Sequence, residues 1–141
     1  MNDAPVLAAV SDVSFDEDLS GSTSLSGNDI DGDDLEFSIT GGTDITATLD
    51  GSSVSFSAPE NYNGSESFTV SVSDGELSDS QTITVIVNAV NDAPVATAGL
   101  SGATYQDQTI VITLSGSDID GDNLTFSLDA DATNGSVTLD G

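Results

Sequence analysis

Two short runs of aspartate are the residues of this sequence best suited to chemistry. Residues 29–33 and 118–122 both read Asp-Ile-Asp-Gly-Asp, so that three carboxylates alternate in a loop containing glycine. Hard oxygen ligands in a turning backbone suit calcium, which takes about six to eight oxygens flexibly, better than magnesium, which prefers a strict octahedron. The alternative is a solvated turn that binds nothing, because Asp and Gly favour turns anyway. The recurrence of the run favours the metal.

The spacing of these runs differs from that of an EF-hand. The sixth position of the loop is Asp34 or Asn123 instead of glycine, and the twelfth is Thr40 or Asp129 instead of glutamate. No stretch of the sequence has the apolar period of a flanking helix. A calcium site here would therefore be built on strands and loops.

The composition excludes most other classes of function. The chain has 141 residues, 25 of them acidic, with no Lys, Arg, His or Cys, and its formal net charge is -25. Nucleic acids and anionic membrane surfaces are excluded as partners because nothing would neutralise their charge. The chain also lacks the side chains for a Ser-His-Asp or Cys-His nucleophile, a Schiff base or an ordinary zinc site.

Catalysis and membrane insertion are both disfavoured. Paired-carboxylate hydrolysis needs a cleft and an acid of raised pKa, whereas these acids crowd together in glycine-containing loops. The longest apolar run, residues 6–10, has about a quarter of the length needed to cross a bilayer. We expect a protein that is not an enzyme and does not insert into a membrane.

An internal repeat organises the chain. Asn-Asp-Ala-Pro-Val at 2–6 recurs 89 residues later at 91–95, and the segment around residues 25–38 recurs at 114–127 with the same offset. Thr-Leu-Asp-Gly at 48–51 returns at 138–141. We expect a complete repeat at 1–90, a linker at about 88–94 and a truncated second repeat at 91–141, which cannot close a sandwich alone.

The apolar residues of the first repeat alternate with polar ones, which is typical of half-buried strands. Two further strands are expected near 6–10 and 15–25, giving about seven. This pattern predicts an all-β fold, an antiparallel Greek-key β-sandwich. A β-solenoid is the alternative, but it would have far shorter repeats. The alternating runs include Leu35, Phe37 and Ile39; Val54 and Phe56; Phe68, Val70 and Val72; and Ile83, Val85 and Val87.

The repeated motifs resemble those of a known family. Residues 88–94, Asn-Ala-Val-Asn-Asp-Ala-Pro, resemble the inter-domain calcium linker of cadherin repeats, and residues 117–121, Ser-Asp-Ile-Asp-Gly, resemble their Asp-x-Asp element. The whole chain is similar to the bacterial cadherin-like tandem repeats of large secreted or cell-surface adhesins. This resemblance implies a cadherin/immunoglobulin-like sandwich with calcium as cofactor, bound by the two ends of successive repeats and the linker.

The resemblance also implies two sets of calcium ligands. The set between the two copies comprises Glu17, Glu60, Asn88, Asn91, Asp92, Asp118, Asp120 and Asp122. The set near the start of the chain comprises Asn2, Asp3, Asp29, Asp31, Asp33 and Asp74. Asn88 replaces a carboxylate of the family linker, and only Pro59 and Glu60 remain of the Leu-Asp-Arg-Glu element, which implies fewer or weaker ions.

The function that this resemblance implies is a calcium-binding extracellular module, secreted or at the cell surface. It would make a tandem adhesin array rigid, and its partners would be neighbouring repeats of the same chain. The alternative is a carbohydrate-binding or protein-binding module that meets a polysaccharide or a cell-surface protein. An aromatic content of 5% and the absence of Trp supply few surfaces for stacking on sugars.

Overall fold

The strands of this protein follow its alternating apolar and polar residues. The computed structural model describes residues 1–130 and 132–140. Two units are present, Met1–Val90 (unit 1) and Asn91–Gly141 (unit 2). Asp131 and Gly141, which belong to the predicted second repeat, lie outside the described residues. In the part of the chain that is described, the regular structure is β, and no helix has the length and hydropathy to span a membrane.

Unit 1 has two main sheets with seven strands and an additional two-stranded sheet. One main sheet has the order β2-β9-β8-β5, the other has the order β3-β7-β6, and β1 pairs with β4. The predicted all-β sandwich is thereby confirmed. The strands are β1 (Val6–Leu7), β2 (Val13–Asp16), β3 (Ser20–Ser24), β4 (Gly27–Asn28), β5 (Glu36–Gly41), β6 (Thr46–Asp50), β7 (Ser53–Ser57), β8 (Gly64–Ser73) and β9 (Ser78–Asn88).

The core of unit 1 lies between its main sheets and is built by alternation. Along β8 the apolar side chains of Phe68, Val70 and Val72 are buried, whereas serine and threonine occupy the alternate positions. Phe68 meets Phe56 of β7 edge to face, with ring centroids 5.3 Å apart and planes at 70°, a favourable aromatic geometry. Most acidic residues of unit 1 lie in loops or near the ends of strands, and Glu66 of β8 is an exception described below.

The N-terminal segment changes sheets, which the alternation does not reveal. The strand predicted at 6–10 is the two-residue β1, and the stretch predicted at 15–25 is divided into β2 and β3 by a turn in which Asp18 has φ of 63°. β1 pairs with β4, after which β2 pairs with β9 in parallel, and the other pairings described are antiparallel. Polar side chains of β9 bridge the crossing, as described for Gln81 below.

Unit 2 repeats the beginning of unit 1. It contains β10 (Val95–Ala96) and β11 (Gly116–Ser117), which pair antiparallel as β1 and β4 do. A Cβ atom on Gly116 would lie 2.8 Å from the carbonyl oxygen of Val95, and one on Gly27 would lie 3.0 Å from that of Val6. Both copies therefore need glycine where the acidic loop approaches the first strand.

Candidate metal centre

Asp29 organises the acidic loop of unit 1, residues 29–33. Its Oδ1 accepts hydrogen bonds from the main-chain N–H groups of Asp31 at 2.8 Å, Gly32 at 3.1 Å and Asp33 at 3.4 Å. Gly32 has φ of +82°, a conformation that glycine adopts without steric cost. The sequence Asp-x-Asp-Gly-Asp thus closes the loop around one carboxylate oxygen.

The loop brings together three of the predicted ligands. Carboxylate oxygens of Asp29, Asp31 and Asp33 all lie within 4.8 Å of one another. Oδ2 of Asp29 is buried and has no hydrogen-bond partner. A buried carboxylate oxygen without a donor is costly, and two further like charges nearby increase that cost. Since the sequence has no cationic side chain, the chemistry of these donors fits an added hard cation.

Asp3 is bonded to this loop, and its neighbour Asn2 is bonded to Asp74. The main-chain N–H of Asp3 donates to Oδ2 of Asp31 at 2.7 Å, and Nδ2 of Asn2 donates to Oδ2 of Asp74 at 3.0 Å. Oδ1 of Asp74 accepts the main-chain N–H groups of Leu77 and Glu76, each at 2.7 Å. The bonds from Leu77 and then Glu76 lower the pKa of Asp74. Its carboxylate already stabilises the turn before β9.

The acidic loop of unit 2, residues 118–122, repeats two of the three main-chain hydrogen bonds of the first loop. Oδ1 of Asp118 accepts the main-chain N–H groups of Asp120 at 3.0 Å and Asp122 at 3.1 Å. The main-chain N–H of Asp92 donates to Oδ2 of Asp120 at 2.7 Å. Asn91 is exposed, and its amide donates to the carbonyl oxygen of Asp92 at 2.9 Å. All five predicted ligands of unit 2 therefore belong to one loop and the segment bonded to it.

The remaining predicted ligands belong to unit 1, at the end where β9 finishes. Glu17 is 5% exposed and is the one buried charged side chain among the residues described. Its Oε1 accepts the main-chain N–H of Val90 at 2.5 Å, and its Oε2 accepts Nδ2 of Asn63 at 3.3 Å. Its own N–H donates to the carbonyl oxygen of Asn88 at 2.9 Å. Glu17 and Asn88 thus meet, whereas Glu60 is exposed.

Glu66 is an organising acid that the sequence reasoning missed. Its carboxylate accepts three main-chain N–H groups from the loop between β5 and β6, those of Thr43, Asp44 and Ile45, at 2.8–3.1 Å. The bonds from Thr43 and Asp44 are the main reasons why its pKa is lowered. A signal was present, because Glu66 falls on the same alternation as Phe68, Val70 and Val72. A glutamate at an inward position needs donors.

Comparison with known proteins places this geometry in a family. The sequence profile of the bacterial Ig domain matches residues 2–86 and again residues 91–141. No curated protein matches the chain.

Solved structures with a similar fold include the following two. Human protocadherin-24 EC1-2 is similar with a TM-score of 0.53 and 24% identity, over 84% of this chain and 62% of that one. The chain therefore spans less than two thirds of that protein, and the likeness concerns the fold. An endo-fucoidan hydrolase from glycoside hydrolase family 107 has a TM-score of 0.46 and 25% identity, over 70% of this chain and 14% of that one.

The family profile thus matches both copies of the repeat, and the sandwich of unit 1 has the fold of an extracellular cadherin domain. The chain belongs to the bacterial Ig domain family.

Proposed function

We propose that this protein is a calcium-binding structural module of a secreted or cell-surface protein. The observation that carries the proposal is Oδ2 of Asp29, which is buried without a donor inside a cluster of three carboxylates. The residues that would hold the ion in unit 1 are Asp29, Asp31 and Asp33. When bound, calcium would supply positive charge that the amino-acid sequence lacks.

The hydrogen bonds of the loop support a metal rather than a plain turn. A turn is already satisfied by Oδ1 of Asp29, which accepts three main-chain N–H groups. The turn supplies no donor for Oδ2 of Asp29, although carboxylate oxygens of Asp29, Asp31 and Asp33 lie within 4.8 Å of one another. An oxygen-rich, loop-borne set of this kind suits calcium more than magnesium.

The repetition of the loop supports a role in a tandem array. Asp118, Asp120 and Asp122 stand 89 residues after the first set, and Asp92 bonds to Asp120 as Asp3 bonds to Asp31. Without metal, carboxylates crowded at the end of a repeat repel one another and loosen the loop. Calcium would remove that repulsion in each copy and make the array stiffer.

The proposed role follows from this stiffening. The protein would be a non-enzymatic spacer in cell adhesion, and its partners would be neighbouring repeats of the same polypeptide. Extracellular calcium modules bind with Kd of about 10⁻⁴–10⁻³ M. Sites of that affinity fill outside cells and remain empty in the cytosol, which is why we infer a secreted or surface location.

Calorimetric titration and thermal melts test the proposal. We expect calcium to bind and raise Tm, because a ligand of the folded state stabilises by about 1.4 kcal/mol per site at tenfold its Kd. Magnesium at the same concentration should have a much smaller effect.

Asp29→Asn should abolish the response of unit 1, whereas Asp34→Asn, which removes the same charge from an exposed neighbour, should preserve it. Equal melts in calcium and in EDTA would refute the proposal. Equal responses of the two variants would show that the ion lies elsewhere.

A further inference from the structure

Asp-Gly steps are the places where this polypeptide can rearrange by the chemistry of its own groups. The nitrogen of the glycine can reach the side-chain carboxyl carbon of the aspartate before it, because glycine has no side chain to obstruct the approach. The chain has five such steps, at residues 31–32, 50–51, 74–75, 120–121 and 140–141. The structure describes both residues of the first four.

Steric access is the same at these four steps. Gly32, Gly51, Gly75 and Gly121 all have positive φ, between 61° and 99°, and a Cβ atom on any of them would have nothing within 4 Å. Crowding therefore gives no reason for one step to react faster than another. Hydrogen bonds distinguish the steps, since a nitrogen or a carboxylate held in a bond must leave that bond before it reacts.

The step in the acidic loop of unit 1 is held at both reacting groups. Oδ2 of Asp31 accepts the main-chain N–H of Asp3 at 2.7 Å. The N–H of Gly32 donates to Oδ1 of Asp29 at 3.1 Å. Neither the carboxylate nor the nitrogen can turn toward the other without losing a hydrogen bond.

The step in the acidic loop of unit 2 is also held at both groups. Oδ2 of Asp120 accepts the main-chain N–H of Asp92 at 2.7 Å. The N–H of Gly121 donates to the carbonyl oxygen of Asp118 at 3.4 Å. We therefore expect this step to be protected as its counterpart in unit 1 is.

The step between β8 and β9 has the largest number of bonds. Oδ1 of Asp74 accepts two main-chain N–H groups of the turn, each at 2.7 Å, and its Oδ2 accepts Nδ2 of Asn2 at 3.0 Å. The N–H of Gly75 donates to Oγ of Ser73 at 3.1 Å. This step should be the slowest of the four to react.

Asp50 and Gly51 form the one step of these four at which neither group is held. Asp50 is exposed at the end of β6, and Gly51 begins the two-residue connection to β7. Among the residues that the structure describes, none forms a hydrogen bond with the carboxylate of Asp50 or with the N–H of Gly51. The two groups that must meet are both available in the folded chain.

We propose that the peptide bond between Asp50 and Gly51 isomerises spontaneously in the folded protein. The nitrogen of Gly51 bonds to Cγ of Asp50 while the N–H proton and the carboxyl OH leave as water, which gives a five-membered cyclic imide. Water then opens the ring at either carbonyl carbon. Cleavage of the bond from the nitrogen to Cγ restores aspartate. Cleavage of the bond from the nitrogen to the main-chain carbonyl carbon leaves Gly51 attached through Cγ, as isoaspartate. One water leaves and one enters, so no other reactant is needed.

This modification adds one carbon atom to the main chain at a two-residue hairpin turn. Asp50 pairs with Ser53 at the end of the ladder between β6 and β7, and the carbonyl oxygen of Ser52 accepts the N–H of Leu25 at 2.7 Å. Because the twist of so short a turn must match that of its strands, the added atom disturbs both contacts and lowers the stability of unit 1. The proposed calcium site lies in another loop, so this inference does not depend on the proposed function.

Ageing of the full chain in neutral buffer with EDTA tests the proposal. Chymotrypsin cuts after aromatic residues, which fall between all four steps, so that each step is recovered on its own peptide. Electron-transfer fragmentation then distinguishes isoaspartate from aspartate, although their masses are equal. We expect isoaspartate to form at residue 50 at least about tenfold faster than at residues 31, 74 and 120, because a hydrogen bond to a charged carboxylate reduces the reactive population by about that factor.

Unfolding the chain supplies the control for this comparison. In guanidinium chloride the four steps should react at similar rates, since the bonds that protect three of them are lost. Equal rates at the four steps of the folded chain, or slower formation at residue 50 than at residue 74, would overturn the proposal.

Two altered chains test the consequence for stability. Asp50→Glu keeps the charge but would need a less favourable six-membered ring, so this variant should lose less Tm on ageing than the wild type. Asp34→Glu, at an exposed acid that is followed by leucine, should lose as much Tm as the wild type. An equal loss in Asp50→Glu would assign the ageing to another residue and refute the proposed site. An aged wild type that carries isoaspartate at residue 50 without a lower Tm would contradict the disturbance of the hairpin.

Discussion

The main-chain N–H of Asp3 donates to Oδ2 of Asp31 at 2.7 Å, which ties the first residues of unit 1 to its acidic loop. The bond recurs at the same length between Asp92 and Asp120, although the residues before the two loops differ, Asn28 in one and Ser117 in the other. The middle aspartate of each loop therefore anchors the start of its repeat.

Replacing this aspartate should free the start of the repeat. In EDTA, Asp31→Ala removes the acceptor of the Asp3 amide, and we expect that amide to exchange with solvent at least about tenfold faster by NMR hydrogen exchange. Asp33→Ala removes a charge from the same loop but leaves the bond in place, so the Asp3 amide should retain its protection. Equal exchange in the two variants would contradict the anchoring role.

Glu66 should contribute stability that depends on pH. Because its folded-state pKa is lowered by main-chain donors, its contribution is fully present above its ordinary pKa. That contribution is lost as the pH falls through the lower folded-state value. Urea denaturation should show Glu66→Gln well below the wild type at about pH 7, with the gap narrowing at about pH 2.5. Glu76→Gln, in an exposed turn, should show little difference at either pH, and a constant gap for Glu66→Gln would refute the mechanism.

Alanine substitutions at Gly42 and Gly51 distinguish the effect of a steric conflict from that of backbone strain. Both have positive φ, +78° and +61°, so alanine at either position should lower the free energy of unfolding by about 1–2 kcal/mol through backbone strain. A Cβ on Gly42 would also collide with the carbonyl oxygen of Ile45 and with the ring of Phe68, whereas nothing lies within 4 Å of one on Gly51. Gly42→Ala should therefore lower the free energy of unfolding by at least about 2 kcal/mol more than Gly51→Ala in urea melts.

Gln81 should fasten the N-terminal segment where it changes sheets. Its Oε1 accepts the main-chain N–H of Val10 at 3.1 Å, and its Nε2 donates to the carbonyl oxygens of Leu7 and Ala8 at 3.0 and 3.2 Å. Gln81→Ala should cost about 1–3 kcal/mol because these groups lose their partner. Thr82→Ala, on the exposed side of β9, should stay within about 0.5 kcal/mol. A similar loss in both would assign the effect to the strand itself.

The sequence predicts the sandwich because period-two burial is a local property. Val70 and Val72 alternate with serine. When one face of a sheet is covered, such a pattern determines which side chains face the core. The parallel pairing of β2 with β9 could not be predicted in this way, since it depends on which strand edge residues 13–16 reach after the crossing at residues 8–12. Alternation carries no information on pairing partners.

The same distinction between local and long-range information applies to the candidate site. The acidic loops could be predicted because Asp29, Asp31 and Asp33 are close in sequence, and proximity in the chain ensures proximity in space. Glu66 and Gln81 act on segments more than 20 and 70 residues away, and their partners are main-chain groups that no sequence motif identifies. Glu17 shows the same limit, because its hydrogen-bond donors Val90 and Asn63 lie 73 and 46 residues away in the chain.

The parallel pairing of β2 and β9 has a mechanical consequence. Tension applied at Met1 and Val90 would draw β2 toward its N-terminal end and β9 toward its C-terminal end, in opposite directions along two adjacent strands. The hydrogen bonds from Val13–Val85 to Asp16–Asn88 would then be loaded in shear and would have to break together. Extension of unit 1 under load is governed by the rate of that event, so a repeat of this design resists being pulled open more than a hairpin that unzips bond by bond.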